Sequence, residues 1–158
     1  MTPLQFYING WIAEPARWGV SDCCLSALDW AGHVRGLDLT EDLRLTYDDA
    51  VSAQRVTRFF TRPLDMARRV LVQRGGCPEV RNPQRGDVAI FKMWDGLRGQ
   101  ALPVAGPCIG RGHFACRGGP GGAVPTPAAR PEWLIGARGV GCVSGWASVP
   151  GPGVAASP

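Results

Sequence analysis

The chain has 158 residues, the length of one ordinary domain, which disfavours a second full domain. Glycine (22) and proline (14) together occur about twice as often as the usual ~12%, yet a 45% apolar content with six tryptophans excludes a disordered chain. No apolar run approaches the roughly 18 residues that a membrane span needs, and the N-terminus lacks the pattern of a signal peptide.

The net charge of +4 comes almost entirely from arginine, because Lys92 is the only lysine. Several of the arginines cluster in one part of the chain: Arg55, Arg58, Arg62, Arg68, Arg69 and Arg74. Three carboxylates share this region, at Asp48, Asp49 and Asp65, which favours a solvated helical surface over nucleic-acid binding. Arginine also pairs bidentately with carboxylates, so a protein-docking surface is the alternative.

Apolar residues recur at helical spacing throughout the N-terminal half. The pattern predicts four helices, over residues 4–12, 22–36, 46–60 and 63–75. Pro15 closes the first helix, Ser21 or Asp22 caps the second, and Gly36 ends it. Pro63 suits the first turn of the fourth helix.

After residue 82 short apolar segments alternate with glycine-rich turns, which predicts strands. The candidates are residues 88–91, 101–109, 113–116 and 133–137. Pro103 and Pro107 indicate that the second of these strands is bulged or lies at an edge. The order predicts a single α+β domain over residues 1–140, with N-terminal helices packed on a small antiparallel sheet. Residues 141–158 are predicted to form a Gly/Pro-rich extended tail.

The segment Trp18-Gly19-Val20-Ser21-Asp22-Cys23-Cys24 carries the most chemical information. It places Cys23 in the first turn of a predicted helix, where free backbone N–H groups and the helix dipole stabilise a thiolate. A nucleophilic cysteine also needs a base to take its proton. The alternative is a small buried residue at a helix start.

Asp22-Cys23 at a helix start, followed later by Arg85-Gly86-Asp87-Val88, resembles the NlpC-type cell-wall cysteine peptidases. The resemblance is closest to a phage and gene-transfer-agent tail-tip branch with Trp-Gly-x-x-Asp-Cys-Cys and a late aromatic strand, here at Trp133. It covers residues 4–138. It implies a papain-like fold in which Cys23 matches the nucleophile and Asp22 its helix-start neighbour.

The same resemblance implies a general base in a strand that begins His-hydrophobic-Gly. By spacing, that histidine position falls on Val104, and valine cannot accept a proton. The chain has two histidines. His33 lies ten residues after Cys23 on the same predicted helix, roughly 15 Å away. His113 follows on the next predicted strand and is the candidate base if any activity survives.

The resemblance therefore predicts a structural component of a phage-like tail tip with a degenerate peptidase fold. Such a protein is made in the host cytoplasm and located in the virion, where it docks on tail hub and baseplate proteins. Peptidoglycan is a further expected partner, whereas nucleic acid, a membrane span and a cofactor are not expected. The alternative is an active peptidoglycan endopeptidase that assists cell-wall penetration during genome delivery.

A third interpretation concerns the spacing of Cys108, His113 and Cys116, which is part of a metal-binding pattern. No fourth ligand is apparent, so buried free thiols are favoured over a metal-binding or redox module. A disulfide framework is disfavoured because Cys23 and Cys24 are adjacent and no signal peptide is predicted.

Overall fold

The computed structural model describes residues 1–95, 98–110, 113–117, 123–126 and 133–136. These residues form an α+β fold, with helices in the N-terminal half followed by a small antiparallel sheet, as predicted. The predicted tail over residues 141–158 lies outside the described residues. None of the helices in the described ranges is long and apolar enough to cross a membrane.

The four predicted helices are all present. Their bounds are α1 Pro3–Ala13, α2 Cys23–Arg35, α3 Ala50–Thr57 and α4 Pro63–Ala67, the last continuing as a π-helical segment over Arg68–Arg74. Asp22 caps α2 and Gly36 ends it in the left-handed conformation.

The prediction for α3 was too long at both ends. Asp49 caps the helix through a hydrogen bond from the Ser52 N–H, so Tyr47 lies before it. Arg58 adopts a left-handed φ of 56° at the other end, which leaves the Phe59-Phe60 pair in the following turn. Local capping therefore overrides the longer apolar pattern.

Five strands follow the helices within the described residues. They are β1 Val88–Asp95, β2 Gln100–Gly110, β3 His113–Arg117, β4 Ala123–Thr126 and β5 Trp133–Ile135, in the spatial order β4-β3-β2-β1-β5. All described pairings are antiparallel. The sequence pattern predicted every strand except β4.

Strand β2 was predicted to be bulged or to lie at an edge; it lies inside the sheet, and the bulge is the alternative that the structure confirms. The register between β2 and β3 shifts between Cys108 and Gly110. The described pairing of β2 with β3 begins only at Cys108, after both Pro103 and Pro107. Proline has no backbone N–H, and at these positions no described backbone hydrogen bond to β3 requires one.

The core consists of two clusters on opposite faces of β1. Val88 and Ile90 pack with the helices, whereas Ala89 and Phe91 pack in a second cluster with Phe114. This alternation is what a strand buried on both faces requires. Helix α2 is buried along most of its length and contacts β2, which brings the first residue of α2 to the sheet.

Candidate functional site

The loop before α2 is built around Gly19. Its φ of +68° is left-handed, and a Cβ there would lie 1.9 Å from the Tyr47 carbonyl oxygen. The Gly19 N–H donates to Asp22 Oδ2 at 3.0 Å, and its carbonyl accepts from the Leu45 N–H at 2.8 Å. The glycine of the Trp-Gly-x-x-Asp-Cys motif is therefore required by the backbone.

Asp22 is a buried helix cap. Its Oδ1 accepts from the Leu25 N–H at 3.1 Å, and its Oδ2 accepts from the Gly19 N–H and from the Tyr47 hydroxyl at 2.9 Å. Both carboxylate oxygens thus accept hydrogen bonds, Oδ1 from the first turn of α2 and Oδ2 from the preceding loop and Tyr47. Burial and the Asp22 charge raise the pKa of Tyr47, so this hydroxyl stays protonated and keeps donating.

Cys23 is the first residue of α2 and is partly exposed. Burial is the main cause that raises the pKa of its thiol to about 12, and the neighbouring Asp22 charge adds to it. The backbone N–H groups of Ala105 and Cys24 act in the opposite direction but do not compensate. The thiol is therefore neutral at pH 7, although it lies at a helix N-terminus.

The sheet opposite Cys23 is apolar. Ala105 of β2 packs with the helical core, and Val104, which precedes it, packs with the Phe91 and Phe114 cluster. Cys116 of β3 lies close enough for its charge to raise the pKa of Cys23 further. The structure therefore brings Cys23 to the backbone of Ala105 and to a second thiol, that of Cys116.

The backbones of the paired strands β2 and β3 approach each other closely beside Ala105. A Cβ on Gly106 would lie 1.7 Å from the Ala115 carbonyl oxygen, so only glycine permits this approach.

Neither histidine joins Cys23 in this arrangement. His33 lies at the other end of α2 and stacks on Tyr7, with ring centroids 6.4 Å apart. His113 is exposed, with its Nδ1 3.3 Å from the Gly110 carbonyl oxygen. It precedes Cys116 by three residues on β3, which places it roughly 10 Å along the strand and on the opposite face.

The Gly86-Asp87 segment holds the start of the sheet against α2. Gly86 has a left-handed φ of +94°, and its carbonyl accepts from Trp30 Nε1 at 2.7 Å. The buried Asp87 carboxylate accepts from the Gln84 N–H at 2.8 Å, and its carbonyl accepts from the Cys108 N–H at 2.7 Å. Both motifs behind the family resemblance thus have structural roles of their own.

The cysteines with metal-ligand spacing do not converge with the histidine. Cys108 and Cys116 are buried in the second cluster, whereas His113 is exposed. Cys116 Sγ lies 3.1 Å from the thioether sulfur of Met93. Within the described ranges, no group of three or more His, Cys, Asp or Glu side chains is placed to hold a metal ion.

Sequence reasoning missed Tyr47 and Cys116 as neighbours of the Asp22-Cys23 pair. Tyr47 lies 25 residues after Asp22 in the chain, and no local sequence pattern indicates the hydrogen bond between them. Trp18 of the same motif is 40% exposed and packs edge-on against Phe60.

The fold and the capped cysteine define an α+β domain with a neutral thiol at a helix start. The chain belongs to the DUF6950 family, described as a domain of unknown function, whose model matches residues 2–135. The match includes all four helices and the five strands. No curated protein and no solved structure matches the chain.

Proposed function

We propose that this protein is a non-catalytic, structural subunit of a phage-like tail tip, built on an NlpC-type, papain-like fold that has lost its general base. The observation that carries the proposal is the Cys23 thiol, which is neutral and faces Ala105 and Cys116 without an imidazole. The motif resemblance supplies the tail-tip setting, in which the protein docks on hub and baseplate proteins of the virion.

The chemistry of Cys23 argues against nucleophilic catalysis at neutral pH. With a pKa raised to about 12, the thiol is almost entirely protonated at pH 7. A general base must lie about 2.6–3.2 Å from the proton that it removes, or act through one water. Asp22 does not fill that role, because its oxygens accept from Gly19, Leu25 and Tyr47 and its charge opposes thiolate formation.

An active peptidoglycan endopeptidase is the second candidate, and one observation favours it. The N–H groups of Ala105 and Cys24 both favour the thiolate form of Cys23, and such donors also stabilise an oxyanion in acyl transfer. This candidate still needs a proton acceptor, for which His113 would have to move from its place on the far side of β3.

Digestion of purified peptidoglycan separates the two candidates. We expect wild-type protein and the Cys23→Ser variant to release the same background of muropeptides by chromatography, with an active NlpC-type enzyme as positive control. We also expect particles assembled with Cys23→Ser to contain the protein in the same amount as wild-type particles. Muropeptide release that disappears in Cys23→Ser would overturn the proposal in favour of the enzyme.

A further inference from the structure

A groove lined by arginines lies between the end of α3 and the segment formed by α4 and its π-helical continuation. Its volume is about 560 Å³. Four exposed arginines line it, together with one carboxylate and one exposed apolar side chain: Arg55, Arg58, Arg62, Arg69, Asp65 and Val56. It is separate from the Cys23 site, with which it shares no lining residue.

The two other arginines of this region are engaged elsewhere. Arg68 Nε donates to Glu79 at 2.8 Å, and Arg74 pairs with Glu41 at 3.1 Å and with Asp42 at 2.8 Å. The expectation of a solvated helical surface therefore fits Arg68 and Arg74, whose charges are paired with carboxylates. It does not fit the groove.

Within the groove, positive charge exceeds the carboxylates available to it. Asp65 meets Arg62 at 3.9 Å, a long contact between exposed side chains. In the described part of the chain, no carboxylate forms an ion pair with Arg55, Arg58 or Arg69. Asp49 also lies near enough to Arg55 for that charge to help lower the pKa of Asp49. Four arginines against these two carboxylates still leave an excess of positive charge at a concave surface, which attracts anionic groups.

The backbone beneath these side chains is firmly built. Thr57 and Met66 are buried at the floor of the groove. The Arg58 N–H donates to the Gln54 carbonyl at 2.9 Å in the left-handed turn that ends α3. The arginines therefore project from fixed positions, which reduces the entropy lost when they bind a partner.

We propose that this groove binds an acidic segment of a partner protein. The planar guanidinium matches a carboxylate bidentately, and such charge-assisted pairs are strong and geometrically specific. Val56 is 40% exposed at the groove. It offers apolar contact for a side chain between the acidic residues of the segment.

A protein segment fits this surface better than a nucleic acid. A phosphate backbone carries closely spaced charges and needs an extended basic track. Here Asp65 lines the groove itself, and Asp48 and Asp49 lie at the N-terminal end of α3, whose other end carries Arg55 and Arg58. These carboxylates interrupt the positive surface. The inference goes beyond the proposed function, because it holds whether or not Cys23 is catalytic and whatever particle contains the protein.

Fluorescence anisotropy with a labelled peptide of alternating glutamate and leucine tests the inference. We expect the wild-type protein to bind this peptide, and the Arg55→Glu/Arg69→Glu double variant to bind at least about tenfold more weakly. The matched control is Arg17→Glu/Arg81→Glu, which makes the same charge change at exposed positions outside the groove. This control should bind like wild type.

A second double variant, Arg55→Gln/Arg69→Gln, removes the two positive charges without introducing negative ones. It replaces the glutamate variant in the binding test if that variant unfolds. It should also weaken binding, with a melting temperature near that of wild type. Three results would overturn the inference: no binding by wild type, equal losses in groove and control variants, or tighter binding of single-stranded or duplex DNA than of the peptide at the same ionic strength.

Discussion

The Cys23 thiol is subject to opposing influences that the sequence alone does not rank. Its place at the start of α2 and the N–H groups of Ala105 and Cys24 favour the thiolate. Burial and the Asp22 carboxylate favour the thiol, and they prevail, since the pKa is raised to about 12. The same aspartate that makes α2 possible therefore reduces the reactivity of the cysteine beside it.

The raised pKa predicts a loss of stability in alkali. An unfolded Cys23 ionises with a pKa near 9, whereas the folded thiol stays protonated to about 12. The unfolded state thus holds fewer protons between these values, and the free energy of unfolding falls as pH rises from about 9 to 12. At pH 10 we expect Cys23 to contribute on the order of 1 kcal/mol to this loss.

Urea denaturation at pH 8 and pH 10 measures this contribution. The Cys23→Ser variant should show a smaller fall in stability between the two pH values than wild type, because serine does not titrate there. Tyr7 and Tyr47, whose pKa values are also raised by burial, are present in both proteins and cancel in the comparison. Identical pH dependence in the two proteins would contradict the assignment.

At the scale of elements, the two family motifs fix how α2 meets the sheet. Gly19 and Asp22 organise the helix start, whereas Gly86 accepts from Trp30 on the inner face of the helix. The motif is thus explained by backbone geometry and capping.

Substitution of the two helix caps tests this structural role. Asp22→Ala removes a cap and leaves the Tyr47 hydroxyl and the Gly19 N–H without a buried acceptor, so we expect a loss of about 2–4 kcal/mol. Asp49→Ala removes the exposed cap of α3 and should cost about 1 kcal/mol. Urea denaturation compares them, and equal losses would show that the Asp22 network adds nothing beyond ordinary capping.

At the scale of the whole molecule, the sequence predicted what local chemistry decides. Capping and proline rules predicted a helix start at Ser21 or Asp22, a start at Pro63 and an end at Gly36. The structure confirms the last two and selects Asp22 as the cap. Strand β4 was missed because its four residues pair with β3 in a way that only the assembled sheet specifies. The approach of Cys116 to Cys23 has the same origin.

The arginine-rich region shows the same limit. Its composition was evident, yet the sequence did not distinguish the arginines paired in salt bridges from those that line the groove. That distinction depends on the turn at Arg58 and on distant carboxylates such as Glu41 and Glu79. Long-range packing decides which charges are neutralised and which remain available to a partner.

The pH dependence of Cys23 alkylation tests the central claim, that this thiol is not an activated nucleophile, most directly. Iodoacetamide labelling is followed by mass spectrometry, with peptide fragmentation to separate Cys23 from Cys24 and glutathione as the reference thiol. We predict slower labelling than of glutathione at pH 7, and a rate that rises throughout pH 6–10 without an inflection, since the pKa is about 12. Rapid labelling of Cys23 with an inflection near or below neutral pH would contradict the account.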